Sequence, residues 1–204
     1  MLDHLLLGVA NLEDGIAHIQ NKTGVTPAIG GSHPGLGTHN ALLSLGQDLY
    51  FEIIAPDPKQ DSIMPYMREL PDMTQPGLFT WAAVTTEIDA LAARLEQAGY
   101  KTSGVNAGSR RRTDGILLEW KTLFTISTFG SVVPFFIQWG ETTPHPSQST
   151  PPGCSLLHFE VAHPQGDQLA ALFTIMGLDI PIKNASQPGL SAVLQTPNGK
   201  TLID

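Results

Sequence analysis

Glu52 stands inside an apolar stretch, Tyr50-Phe51-Glu52-Ile53-Ile54-Ala55. If residues 49–55 form a strand, period-two alternation puts Tyr50, Glu52 and Ile54 on one face. A carboxylate among apolar neighbours is costly unless a metal, an arginine or a retained proton offsets it. Glu52 is therefore the first candidate for catalysis. His4 lies in another apolar run, Leu2–Val9, where a histidine serves either as a satisfied core or edge residue or as a ligand. His33 and His39 flank a Gly35-x-Gly37 turn; they read either as acid–base groups, with His39 the candidate for substrate contact, or as solvated loop residues. No helix begins at these glycines and no lysine follows, so they form no phosphate loop. Arg110-Arg111-Arg112 is the only basic cluster in the chain. Either one of these guanidinium forks, with Arg112 the candidate, docks a carboxylate or phosphate, or the cluster is solvated or paired with surplus acids. Trp120 and Trp139 either wall a pocket or fill a core. Cys154 follows Pro-Pro-Gly with no histidine or lysine beside it and reads as inert.

These residues need elements to position them, and the chain divides into short apolar runs punctuated by 20 glycines and 16 prolines. That pattern favours strands with turns over long helices. A strand over 2–9 precedes a helix capped by Asn11, with Leu12, Ile16 and Ile19 at helical spacing and Thr23-Gly24 at its end. Strands are expected near 25–29, 40–45 and 49–55. The order then recurs: a strand over 78–85, a helix over 87–98, and strands over 115–122, 124–129 and 132–139. A third copy begins at 155–162, continues into a helix over 167–176, and ends in strands over 192–195 and 200–203 around Asn198-Gly199, a hairpin signal. Pro56–Pro76 holds a short amphipathic segment between prolines, and Glu141–Gly153 (ETTPHPSQSTPPG) reads as a linker. The expected organisation is two paired units over 1–140, a linker over 141–153 and a smaller third unit over 154–204, an α+β architecture.

Composition narrows the partners. Over 204 residues the net charge is −8, with 11 basic against 19 acidic side chains, which disfavours nucleic acid and anionic membranes. No apolar run reaches the roughly 20 residues of a membrane helix, and the first residues lack a basic signal-peptide start. A single cysteine suits a reducing cytoplasm. No nucleophile elbow, P-loop or cysteine-rich zinc spacing occurs.

The repeated βαβββ unit resembles the glyoxalase-like domains of the vicinal oxygen chelate superfamily. The likeness is carried by D-H-L-L-L-G-V (3–9), G-T-H-N-A-L-L-S-L-G (37–46), Y-F-E-I-I-A-P (50–56), D-G-I-L-L-E-W (114–120) and P-F-F-I-Q-W-G (134–140). It implies curved, cup-shaped mixed sheets, with a divalent metal held in the cup by first-strand and last-strand residues. In unit one those positions fall on His4 and Glu52. In unit two they fall on Phe79 or Thr80 and on Gln138, a weak neutral donor, so pairing of units one and two implies a substrate cup with little or no metal. If units one and three pair instead, the internal alignment brings His158 to the His4 position, and His4, His158 and Glu52 make a two-histidine, one-carboxylate set for Fe, Mn, Ni or Zn. The resemblance thus leaves two functions open for a small oxygenated metabolite. One is a metal-dependent lyase, isomerase or extradiol-type dioxygenase; the other is a metal-free binding module, with Gln138, Trp120, Arg112 and His39 as ligand contacts. A homodimer is a further expectation, because such cups often form between units.

Overall fold

The structure, a computed structural model, describes residues 1–112 and 114–204. Unit one runs β1 (Leu2–Gly8), α1 (Leu12–Thr23), β2 (Ala28–His33), β3 (Thr38–Ser44) and β4 (Tyr50–Pro56). Unit two runs β5 (Gly77–Val84), α2 (Ile88–Gln97), β6 (Lys101–Arg111), β7 (Leu117–Ile126) and β8 (Phe135–Trp139). Unit three runs β9 (Ser155–His163), α3 (Gly166–Met176), β10 (Ile182–Asn184), β11 (Gly189–Thr196) and β12 (Gly199–Ile203). Local chemistry explains most boundaries. The Asn11 side chain accepts from the backbone N–H of Asp14 at 3.0 Å, and Gly24 ends α1 with φ 78°.

Unit two departs from its expected strands. Residues 101–111 form the long strand β6, and the two strands expected over 115–129 are one, β7. The segment KTSGVNAGSRR carries no apolar alternation. Its extended form comes from backbone pairing with β7, from Lys101 opposite Ile126 to Arg111 opposite Leu117. Pairing of that kind is supplied by a distant partner and leaves little mark on local composition.

Units one and two join into one eight-stranded sheet in the order β2-β3-β4-β1-β5-β8-β7-β6. Their first strands, β1 and β5, pair antiparallel at the centre, while β4 and β8 each run parallel to the first strand of their own unit. The sheet curls until its edges meet: the Arg110 guanidinium on β6 donates to the Gly30 carbonyl on β2. Unit three builds a separate four-stranded sheet, β10-β9-β11-β12.

Alternation along the strands sorts the two faces of the large sheet. Leu5, Leu7, Phe51, Ile53, Trp81, Ala83 and Phe136 point to the convex face, into a core completed by the helices and by Phe159 and Phe173 of unit three. Trp81 is fully buried there, its indole N–H donating to the Val132 carbonyl at 2.8 Å and its ring packed edge-on against Phe159 and Phe173. Unit three therefore shares its core with the first two. The 141–153 segment is also anchored: the Ser44 N–H donates to the Pro151 carbonyl at 2.9 Å, and Pro146 and Ser147 are buried. Leu6, Ile54, Ala82, Phe135 and Ile137 line the concave face, which Met67 and Leu70 from the 57–76 connection help to cover.

Candidate functional site

The concave face encloses a cavity of about 460 Å³, within the range of small-molecule sites. Its polar floor comes from unit one. Paired residues in an antiparallel ladder share a face, so His33 opposite Thr38, together with Asn40 and Glu52, points inward. His4 and Tyr50 on β1 and β4 complete the floor. Unit two supplies the opposing wall, chiefly Trp120, Phe124, Phe135, Ile137 and Trp139. Gly108 lets the wall form, since a Cβ there would lie 2.5 Å from the Trp120 indole nitrogen.

Glu52 is 5% exposed and sits among donors. The Asn40 amide donates to its Oε1 at 2.7 Å, His33 Nε2 lies 3.8 Å from the same oxygen, and His4 Nε2 lies 3.4 Å from Oε2. The Asn40 amide nitrogen also donates to His33 Nε2 at 3.1 Å. An amide NH2 only donates, so neutral His33 carries its proton on Nδ1, toward the Thr38 hydroxyl at 2.9 Å. Burial pushes the His33 pKa down; the Glu52 charge opposes this, while Arg110, His4 and His39 add to it. Burial, reinforced by the Glu52 and Asp3 charges, raises Tyr50 well above the usual phenol range, so Tyr50 faces the cup as a neutral phenol.

Behind the floor, His4 Nδ1 meets Asp3 Oδ1 at 2.5 Å. The other Asp3 oxygen accepts from the Trp139 indole at 2.9 Å and lies 3.3 Å from His145 Nε2. Burial alone would raise the Asp3 pKa, but hydrogen bonds from His145, His4 and Trp139 and the charge on His4 together hold it far below the ordinary value. An ionised Asp3 fixes the His4 proton on Nδ1 and aims Nε2 at Glu52. Nε2 and the Glu52 carboxylate are then two acceptors unless one proton sits between them.

The structure brings together Glu52, His4 and Trp120 from the sequence candidates and leaves four outside. Gln138 points to the convex face, where its Oε1 accepts from the Ile88 N–H at 2.9 Å and caps α2; its neighbours Ile137 and Trp139 face the cup. His39 pairs with Ser32 on the face away from the cavity, and His33 takes the inward position. Arg112 bonds the Ser149 hydroxyl and Asp114, each at 2.7 Å, outside the cup; Arg110 lines it. His158 lies on β9 of the separate sheet, half-exposed, 3.3 Å from Glu160, because units one and two share the cup and unit three does not. The sequence reading missed Asn40, Asp3 and His145, and within the basic cluster it chose Arg112 where Arg110 faces the cup. Strand register would have found Asn40 and Arg110, whereas Asp3 and His145 are 142 residues apart in the chain and meet only in the fold.

A divalent metal is the group this architecture would be expected to hold, and the donor set does not fit one. The cup-facing positions of β5 and β8 carry Thr80, Ala82, Phe135 and Ile137, and Gln138 is turned away. Among the described residues, no three His, Cys, Asp or Glu side chains are placed to hold a metal ion.

Comparison with known proteins agrees with this architecture. The sequence matches the glyoxalase-like domain family over residues 2–176. The chain belongs to that family. Among curated proteins none matches it. A hypothetical protein from Staphylococcus aureus shares the fold at 17% identity and a TM-score of 0.68, with 98% of this chain and 83% of that one covered. A methylmalonyl-CoA epimerase in complex with methylmalonyl-CoA and NH4+ is similar at 15% identity and a TM-score of 0.52, with 71% and 97% covered. These likenesses establish the cup-shaped vicinal oxygen chelate fold of this glyoxalase-like chain. Among the described residues no helix is long and apolar enough to cross a membrane.

Proposed function

We propose that the cup binds a small oxygenated metabolite and that Glu52 moves a proton on it without a resident metal. The observation that carries this reading is the buried Glu52 carboxylate on the floor of an apolar cavity, held between Asn40, His33 and His4. A carboxylate held in place at the floor of a ligand cavity can act as a general base on a group bound there. Facing a C–H next to a carbonyl, it takes the proton while the C–H electron pair moves into the enolate. Return of the proton to either face gives isomerisation, and loss of a leaving group from the enolate gives a lyase. His4, its Nδ1 proton held by Asp3, takes the proton from Glu52 on Nε2 and returns it, while His145 and Trp139 hold Asp3 in place. Tyr50, a neutral phenol, is the donor available to the enolate oxygen. The methylmalonyl-CoA epimerases with this fold make an acyl group a reasonable substrate class, but the proton chemistry rests on Glu52.

The test is hydrogen exchange at C3 of phenylpyruvate in D2O, followed by NMR against the buffer background. Wild type should accelerate exchange, and Glu52→Gln should lose that acceleration while keeping the fold. Exchange that persists undiminished in Glu52→Gln would remove Glu52 from the reaction. The aromatic wall favours a second reading, a binding module without turnover. Saturable binding with no exchange on any carbonyl compound would select it.

A further inference from the structure

Arg110 is 7% exposed and lines the cavity, yet among the described residues no carboxylate pairs with it. Its one hydrogen bond among those residues goes to the Gly30 carbonyl, a neutral acceptor that engages a single nitrogen of the fork. A buried guanidinium with most of its donors unused is expensive, and an anion placed against it recovers that cost. Among the described residues it is also the only Lys or Arg that lines the cavity. The remaining nitrogens of the fork are not sealed in protein but open to the cavity, where a ligand can reach them. Gly31 lies beside the fork, where a Cβ would stand 3.3 Å from Arg110 Nη1, and at neighbouring Gly30 a Cβ would collide with the Asn40 amide oxygen, itself buried with no partner among the described residues. Two unspent polar groups of opposite character thus lie near the β2–β6 seam. Burial lowers the Arg110 pKa and the charge of Glu52, beyond ion-pair distance, opposes this; guanidinium stays charged in proteins, so the positive charge persists.

We propose that Arg110 anchors a ligand carboxylate, so that the cup takes a small monocarboxylic acid whose aromatic or branched apolar body lies along Trp120, Phe124 and Phe135. This rests on the reading of the cup as a ligand site and names the chemical class it accepts. The planar fork of arginine matches a carboxylate in two parallel hydrogen bonds, which a point charge such as lysine does not reproduce. Anchoring one end at the seam leaves the carbon skeleton directed across the floor that holds Glu52.

The deciding experiment compares 4-phenylbutanoate with 4-phenylbutanamide, which differ in charge but hardly in shape, by calorimetry and tryptophan fluorescence on the full chain. Wild type should bind the carboxylate at least about tenfold more tightly than the amide. Arg110→Gln should bring the carboxylate down to the affinity of the amide while leaving amide binding in place, which also shows that the cup is intact. Arg110→Lys should keep part of the preference. Equal affinities in wild type, a preference that survives Arg110→Gln, or no binding of either probe at millimolar concentration would overturn the proposal. If Arg110→Gln does not fold, the wild-type comparison and Arg110→Lys decide it. Repeating the comparison in Glu52→Gln separates the two proposals. The carboxylate preference should persist there, whereas loss of exchange in that variant speaks only to Glu52.

Discussion

The two halves of the cup have the same βαβββ order and opposite chemistry. Unit one contributes His4, His33, Asn40, Tyr50 and Glu52, polar groups gathered around one carboxylate. At corresponding places unit two contributes Phe135, Ile137 and Ala82, and among the described residues its one charged side chain in the cavity is Arg110. A metal shared by both units would need donors from both. On the proposed reading, a site divided in this way keeps the reacting group and the grip on the ligand apart. The aromatic wall belongs to one unit and the carboxylate it faces to the other.

Crossed substitutions test that division most strongly. Glu52→Gln in unit one should cost about 100- to 10,000-fold in exchange rate, with ligand affinity within a few-fold of wild type. Phe135→Ala in unit two should do the reverse, weakening binding and costing about 3 kcal/mol of stability, with exchange per bound ligand largely kept. Single-turnover exchange beside equilibrium binding separates the two effects. A variant that lost both equally would erase the distinction between the halves.

Asp3→Asn comes next. It leaves His4, Trp139 and His145 without the carboxylate they converge on, and chemical denaturation should show a loss of about 3 kcal/mol. The pH profile of exchange should change as well, because His4 is no longer held with its proton on Nδ1.

Acid should weaken the unit-one floor. His33 has a lowered pKa when folded, so below its ordinary value of 6.5 the unfolded chain binds more protons and stability falls as pH drops. The stabilisation from Asp3, also lowered in the fold, is complete above its ordinary 3.8 and is lost as pH falls through the lower folded value. Urea melts stepped from pH 7.5 to 5 should show the first decline. His33→Gln should flatten that segment and leave the later acid limb in place.

The smallest effect concerns the outer face. Gln138→Ala removes the acceptor for the Ile88 N–H and should cost about 1 kcal/mol through α2, with ligand binding unchanged. A large loss of binding would return Gln138 to the cup.

Much of this was legible in the residues. Elements with a strong period, such as β1, β4, β5 and the helices, fall close to where alternation and caps put them, and the repeated unit led to the right family. Errors gathered where local pattern is silent or where one residue of register decides. β6 has no apolar alternation because backbone pairing forms it. Gln138 and His39 are each one residue from a side chain that faces the cup, and Arg112 is two residues from Arg110. A slip of one position moves a strand residue to the opposite face.

By itself, then, the sequence determined the α+β class, the βαβββ repeat and a buried carboxylate at Glu52 with His4 as its nearest candidate partner. These follow from side-chain period and from the cost of burying charge, both properties of short segments. Only the tertiary structure decided that β1 pairs with β5, so that units one and two share the cup and His158 is excluded. It also decided that His33, Asn40 and Arg110 face inward and that Asp3 joins His4 to His145. The physical reason is that strand pairing and the closure of a curled sheet are long-range contacts, selected by the energy of the whole core.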